Sequence, residues 1–289
     1  MNEPIKKRYD FVYLYDVKDG NPNGDPDQAN LPRVDAENQE GLVTDVCIKR
    51  KVRNYVALKH EQKSPYDIFI RQGNILGKDI AETEVENEEK KEKHDIIKER
   101  QQKLCEKYFD IRTFGAVLSV GEKPSGTLRG PVQFTFSRSE DRIYQAEHSL
   151  TRCCVTTEKE NNDQEKKDRE FASTFGRKST IPYALYRMHG FISAVDAIKT
   201  GFSETDLDLL WESLMNAFEH DRAAARGEMN PRKLIIFKHS NHLGNARSGS
   251  LFDRVVIEKK NDLPRDWKDY SVLINKESLP NGVEIIEKL

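Results

Sequence analysis

Cysteine is scarce in this chain, and what there is forms no pattern. The four residues, Cys47, Cys105, Cys153 and Cys154, make no C-x-x-C pair. Vicinal Cys153–Cys154 is a poor geometry for a structural bridge. The Cys/His spacing of a structural zinc site is missing. A reducing cytoplasm is the expected compartment. Long apolar runs are missing as well. No stretch approaches the roughly 18 residues that cross a membrane. Met1 to Arg8 is polar and lacks the apolar core of a signal peptide. No membrane partner is expected.

Net charge is nearly absent. Lys plus Arg is 47 and Asp plus Glu is 49, a formal charge of -2. Any nucleic-acid site must therefore be a local basic patch. No Walker Lys-Ser/Thr motif occurs. The glycines from Gly121 to Gly130 do not follow the strand–loop–helix order of a nucleotide site. No cofactor is expected, and there is no internal repeat.

What the chain does have is length and charge density. Its 289 residues, 36 % hydrophobic and 33 % charged, suffice for one large domain with insertions or for two domains. Tyr9 to Val17 alternates aromatic and polar positions, and Val12 and Leu14 make the second face apolar too. This predicts a central strand. Asp19 to Pro32, dense in Gly, Asn, Asp and Pro, predicts a loop. Thr44 to Lys59 predicts a helix capped by Thr44 or Asp45, with an Ile48–Val52–Tyr55–Val56 stripe. Residues 61–108 are polar and read as an inserted subdomain, with a helix in its second half suggested by the stripe Ile96, Ile97 and Leu104.

Thr127 to Ser137 predicts a strand. The pattern then breaks until Pro182, and 158–170 is a charged run expected to form a mobile tip. Strand character resumes over Leu185 to Ser193. Ser203 starts a helix with Asp206 as part of a capping box and Leu207, Leu210, Trp211, Leu214 and Phe218 as its apolar face. Lys233 to Lys238 and Ser271 to Ile274 complete the apolar runs. Without the insertions the order is strand, helix, strand, strand, helix, strand. That is an α+β, ferredoxin-like βαββαβ plan, shared with RNA-recognition motifs.

The sharpest basic cluster is Lys49, Arg50, Lys51 and Arg53. At about 100° per residue, Lys49, Arg50 and Arg53 share one arc of the helix. Such an arc can line a phosphate path, and the helix start at Thr44 favours an anion. The alternative is an ordinary solvated helix face. Further along, Arg138, His148, Arg152, Arg177 and Lys178 fall in or beside the broken stretch, where Phe171 and Phe175 interleave with Arg169, Arg177 and Lys178. Basic side chains among aromatics suit single-stranded RNA. The same phenylalanines would equally anchor a long loop to the core.

Asp19 to Asn30 imitates the first half of a calcium loop. Its twelfth position is Asn30, not the glutamate the ion requires, and turn formation accounts for it better. Asp16, Asp19, Asp25, Asp27 and Asp35 offer a rival reading, a metal-dependent endoribonuclease. No fixed metal spacing accompanies them.

Three stretches together resemble one family. They run from Arg8 through Tyr-Asp-Phe-Val-Tyr-Leu-Tyr-Asp-Val-Lys-Asp-Gly-Asn-Pro-Asn-Gly-Asp to Pro26, from Leu31 to Asn54, and from Thr174 to Arg187. They are similar to the backbone subunit of type I-C Cascade, in the repeat-associated mysterious protein superfamily. The resemblance implies a modified RNA-recognition-motif palm with a finger insertion at 61–108 and a thumb at 138–182. It implies several copies stacked on a CRISPR guide RNA in a helical filament for defence against DNA. The partners are then the guide RNA, the target DNA strand, further copies and other Cascade subunits. The chain itself would not be an enzyme. Related subunits place a Ser-x-x-x-Leu-Lys-like helix start against RNA. Thr44, Ile48 and Lys49 occupy similar places here, with Arg53 one turn on.

Overall fold

The computed structural model describes residues 3–152, 154, 157–159 and 174–289. The fold is mixed α/β, built on an antiparallel sheet. Strand β1 (Tyr9–Gly20) is its central member. Two minimal strands, β2 (Gly24–Asp25) and β3 (Leu31–Pro32), close the following loop on itself. Strand β4 (Glu40–Val43) then leads into helix α1 (Asp45–His60). Helices α2 (Leu76–Ala81), α3 (Lys93–Lys107) and α4 (Phe109–Phe114) follow.

Next come β5 (Gly115–Val117), β6 (Thr127–Arg129), β7 (Val132–Phe134), β8 (Ser137–Arg142), β9 (Ala146–Arg152) and β10 (Thr174–Ile192). Helices α5 (Ala194–Thr200) and α6 (Glu204–Met215) precede β11 (Glu228–His239). The chain ends with α7 (Ser248–Phe252), β12 (Val255–Lys259), β13 (Tyr270–Ile274) and β14 (Val283–Lys288).

The main sheet runs β14-β11-β1-β10-β8-β4, with β7 and β9 also paired to β10. Both faces of β1 are buried: one residue set is apolar, and in the other Val12 and Leu14 are apolar while Asp10 and Asp16 are buried in ion pairs with Arg8 and Arg232. Tyr9, Phe11, Tyr13, Tyr15 and Val17 face a core filled by α1 and α6. Val12 and Leu14 face a second core closed by α7, β12 and β13. Cross-strand neighbours Tyr15 and Tyr186 stack with ring centroids 5.5 Å apart. Ser203 and Asp206 form a complete capping box at the start of α6. Asp206 also receives buried Arg112 at 2.7 Å, joining that helix start to α4.

Three expectations need correction. Thr127 to Ser137 is not one strand but three pieces, β6, β7 and the start of β8. Gly130 and Pro131 separate the first two. Backbone of Phe114 and Gly115 presses on Gly130 so closely that no side chain fits there, and proline offers no ladder N–H. Strand β10 begins at Thr174, well before Leu185. Its first half pairs with β9, from Thr174↔Arg152 to Thr180↔Ala146, as a two-stranded ribbon. Polar residues on both faces hid this from periodicity. Phe218 lies beyond the end of α6, yet packs in the same core at 2 % exposure.

A third, smaller core joins Phe69, Ile80, Leu104, Cys105, Tyr108, Ile111 and Leu118. It sits within the charge-rich region. Ile96 and Ile97 are only partly buried, so Leu104 is the residue of the predicted stripe that anchors α3.

Candidate nucleic-acid interface

Helix α1 forms where the sequence places it. Thr44 is its N-cap, and the Thr44 hydroxyl accepts from the Cys47 amide at 3.3 Å. That hydroxyl also donates to Asn23 Oδ1 at 3.0 Å, and the same oxygen accepts the Thr44 amide at 2.9 Å. The loop after β1 therefore covers the helix start. Asp45 adds a carboxylate in the first turn and pairs with Lys49 at 2.9 Å. Thr44 and Lys49 are thus engaged within the chain.

The basic arc then divides by environment. Arg50 is exposed. Lys51 is buried in a pair with Asp221, which also takes Arg226 at 2.7 Å. Arg53 is only 11 % exposed, and its Nε donates to Asp110 Oδ2 at 2.8 Å. Lys49 Nζ and the Arg53 guanidinium lie 5.7 and 5.3 Å from the Phe114 ring, a cation–π arrangement.

Beside this arc runs a groove of about 880 Å³. Arg50, Arg53 and Asn54 line one side. Arg71 and Gln72, from the loop after α1, line the other. Val46 and Ile70 also line it and are exposed at 63 and 44 %. No aspartate or glutamate is among its lining residues. Arg71 is held by Asp67 Oδ1 at 2.6 Å and the Ile68 carbonyl at 2.9 Å. Asp110 ties the two walls together, because it accepts the amides of Phe69 and Ile70 as well as Arg53.

Sequence reasoning missed Arg71, Gln72 and Asp110. The usable signal was Asp110, the one acid in the aromatic-rich run Tyr108 to Phe114. Such an acid must find buried donors.

The ribbon residues stand apart from this groove. Arg177 is exposed opposite Ser149, and Lys178 is half-buried opposite His148. Successive strand residues point to opposite faces, so these two do not share one surface. The side chains of Arg152 and Phe175, and all of Phe171, lie outside the described residues.

The rival carboxylate site does not assemble. Asp16 is buried against Arg232 at 2.8 Å and the Tyr183 hydroxyl at 2.9 Å. Asp25 caps the short turn at Asp27 and pairs with Arg33 at 3.4 Å. Asp35 pairs with Arg138 at 2.8 Å. These three acids serve local structural roles. Among the described residues no group of three or more His, Cys, Asp or Glu could hold a metal ion. Burial pushes the Cys47 thiol up, and that of Cys105 up to about 12, so neither is an activated nucleophile. Among the described residues no helix is long and apolar enough to cross a membrane.

Comparison with known proteins adds a family. A CRISPR-associated protein Cas7 from Haloferax volcanii is 23 % identical over 311 residues, spanning 98 % of this chain and 85 % of that protein. Solved chains resemble it more distantly. One, from a pre-nicking CRISPR RNA-guided surveillance complex, is 14 % identical with a TM-score of 0.48, covering 80 % of this chain and 78 % of the other. Another, from a CRISPR RNA-guided surveillance complex, is 12 % identical with a TM-score of 0.46, covering 80 and 68 %. A chain of a type III-B Cmr-beta complex bound to cognate target RNA is 14 % identical with a TM-score of 0.40, covering 80 and 61 %. The profile of the CRISPR-associated protein Cas7 family matches residues 7–275, nearly the whole chain, and the protein belongs to that family.

Proposed function

We propose that this chain is a non-catalytic backbone subunit that binds a CRISPR guide RNA, with several copies stacked along it, in a type I-C Cascade surveillance complex directed at DNA in the cytoplasm. The observation that carries this reading is the acid-free groove beside α1, where Arg50, Arg53 and Arg71 converge. Arg53 and Arg71 are each paired to one carboxylate, Asp110 and Asp67, but Arg50 is exposed and no acid lines the groove itself; such a surface favours a polyanion, and phosphate contacts supply most of the affinity for nucleic acid. Membership of a CRISPR-associated family points to RNA as that polyanion.

The palm reading rests on strand order. β11-β1-β10-β7, all antiparallel, with α1 and α6 on one face, is the order expected of a ferredoxin-like unit. Residues 61–108 then correspond to a finger. The β9–β10 ribbon, within 138–182, corresponds to a thumb that reaches the neighbouring copy. The target DNA strand and the other Cascade subunits are the remaining partners.

Coexpression with a CRISPR array tests the assignment. The purified chain should carry a discrete RNA of guide length, uncut by the protein when magnesium is added. Purification without such RNA, or magnesium-dependent cleavage, would overturn it. Replacing residues 156–174 with a short Gly-Ser linker tests the thumb separately. It should leave a folded protein that no longer builds regular RNA-bound filaments. Filaments of normal length would remove that role.

A further inference from the structure

We infer that the cleft between β8 and the β12–β13 pair is a docking site for a protein partner that inserts an arginine side chain against Glu140. The cleft, about 710 Å³, shares no lining residue with the groove beside α1. Asp141 of β8 already ties its two sides together, accepting Lys259 Nζ at 2.7 Å and the Tyr270 hydroxyl at 2.6 Å. Glu140 is different. Its carboxylate is half-buried, lines the cleft, and makes no hydrogen bond or ion pair among the described residues.

The chain's own cations are committed elsewhere. Arg187 of β10 attracts Glu140 only at a distance, because its guanidinium donates to His189 Nε2 and to the carbonyls of Phe252 and Val255. Lys259 is held by Asp141, and Arg142 and Arg265 stand exposed on the rim. Asp141 and Glu40 add like charge. Burial, above all, pushes the Glu140 carboxyl up. An unpaired half-buried carboxylate is costly, and a cation from outside relieves that cost.

The surroundings select arginine among cations. Tyr183 and Tyr270 stack with ring centroids 6.3 Å apart, and Asp16 and Asp141 hold their hydroxyls, so the rings are fixed walls. A guanidinium is planar, weakly hydrated and able to stack on such rings while it meets a carboxylate with two parallel bonds. Tyr144 and Leu263 also line the cleft, at 68 and 67 % exposure, and offer apolar contact to the residues beside the arginine. Asn38 and Gln39 offer amide donors and acceptors to its backbone. A partner segment of this chemistry uses the carboxylate, the rings and the amides together.

The test titrates the full chain with three blocked tripeptides, Gly-Arg-Gly, Gly-Lys-Gly and Gly-citrulline-Gly. Citrulline keeps the shape of arginine without its charge. Binding is read from the methyl resonances of Ile143 and Leu263, both in the cleft. The arginine peptide should shift them saturably and bind about tenfold tighter than the citrulline peptide, with lysine between the two. In Glu140→Gln, shown to be folded by its melting curve, the preference for arginine over citrulline should vanish. Equal binding of arginine and citrulline by the intact protein, a preference for lysine, or no saturable shift would overturn the proposal. So would a folded Glu140→Gln variant that kept the tenfold preference.

Discussion

Arg53 and Asp110 form one side of a three-donor clamp. Arg53 Nε donates to Asp110 Oδ2 at 2.8 Å, and the same carboxylate accepts the Phe69 amide at 2.8 Å and the Ile70 amide at 3.0 Å. Asp110 is fully buried. The pair therefore joins α1 to the loop carrying Arg71, and Arg53 acts on the groove largely through the shape it enforces.

That role makes Arg53→Ala a stability variant. Removing one partner of a buried pair leaves an uncompensated charge and costs about 3–5 kcal/mol. The urea midpoint should fall sharply, and Arg53→Lys should restore part of it. An Arg53→Ala midpoint equal to that of the parent would show that the carboxylate is satisfied without Arg53.

Arg50→Ala should behave in the opposite way. Arg50 is exposed and lines the groove. Its removal should leave the melting temperature unchanged and weaken single-stranded RNA binding across unrelated sequences. The slope of log K against log salt should become shallower by about 0.7 for each phosphate that is no longer neutralised. Titrations at several salt concentrations measure this directly, and an unchanged slope would place Arg50 outside the interface.

Gly190 lies on β10 directly opposite Phe11 of β1. A β-carbon at Gly190 would overlap the Phe11 ring, which is fully buried. Gly190→Ala should cost about 1–3 kcal/mol through overpacking. The companion change Phe11→Leu should recover part of that stability in the double variant, read by denaturant titration.

Acid should destabilise the protein through His189. Burial, then the neighbouring Arg187, lowers its pKa from 6.5 to about 4. The ring accepts Arg187 Nε at 3.0 Å and stacks on Phe252 at 4.1 Å, an arrangement of neutral imidazole. The unfolded chain takes up the proton near pH 6.5 and the folded chain only near pH 4. Stability is therefore complete above about pH 6.5 and falls as pH drops toward 4, by up to about 3 kcal/mol. His189→Gln should flatten this part of the stability–pH curve.

The sequence revealed what local pattern controls. The alternation of Tyr9 to Val17 marked a strand buried on both faces, and Thr44 with its apolar stripe marked α1. The Ser203–Asp206 cap was visible for the same reason, since its partners are three residues apart. What escaped depends on tertiary structure. Lys49, Arg50 and Arg53 are equivalent on a helical wheel, and only the positions of Asp45 and Asp110 separate them into a paired, an open and a buried cation. Arg71 lies in a loop without periodicity and reaches the groove only because Asp67 and Asp110 fold that loop back. The ribbon half of β10 was illegible because neither of its faces is apolar.

Strand β10 spans 19 residues, from the solvent-facing ribbon to the centre of the sheet. At about 3.3 Å per residue it is roughly 60 Å of continuous backbone. Its register against β1 skips one position on each strand, Asp19 and Pro182, where proline supplies no N–H. Beyond that point its amides belong to the ladder that stacks Tyr186 on Tyr15. A single strand should thus carry a gradient of amide protection, with faster exchange near Gly176 than near Tyr186. A partner that grips the ribbon should therefore slow exchange on the ribbon side of Pro182 alone.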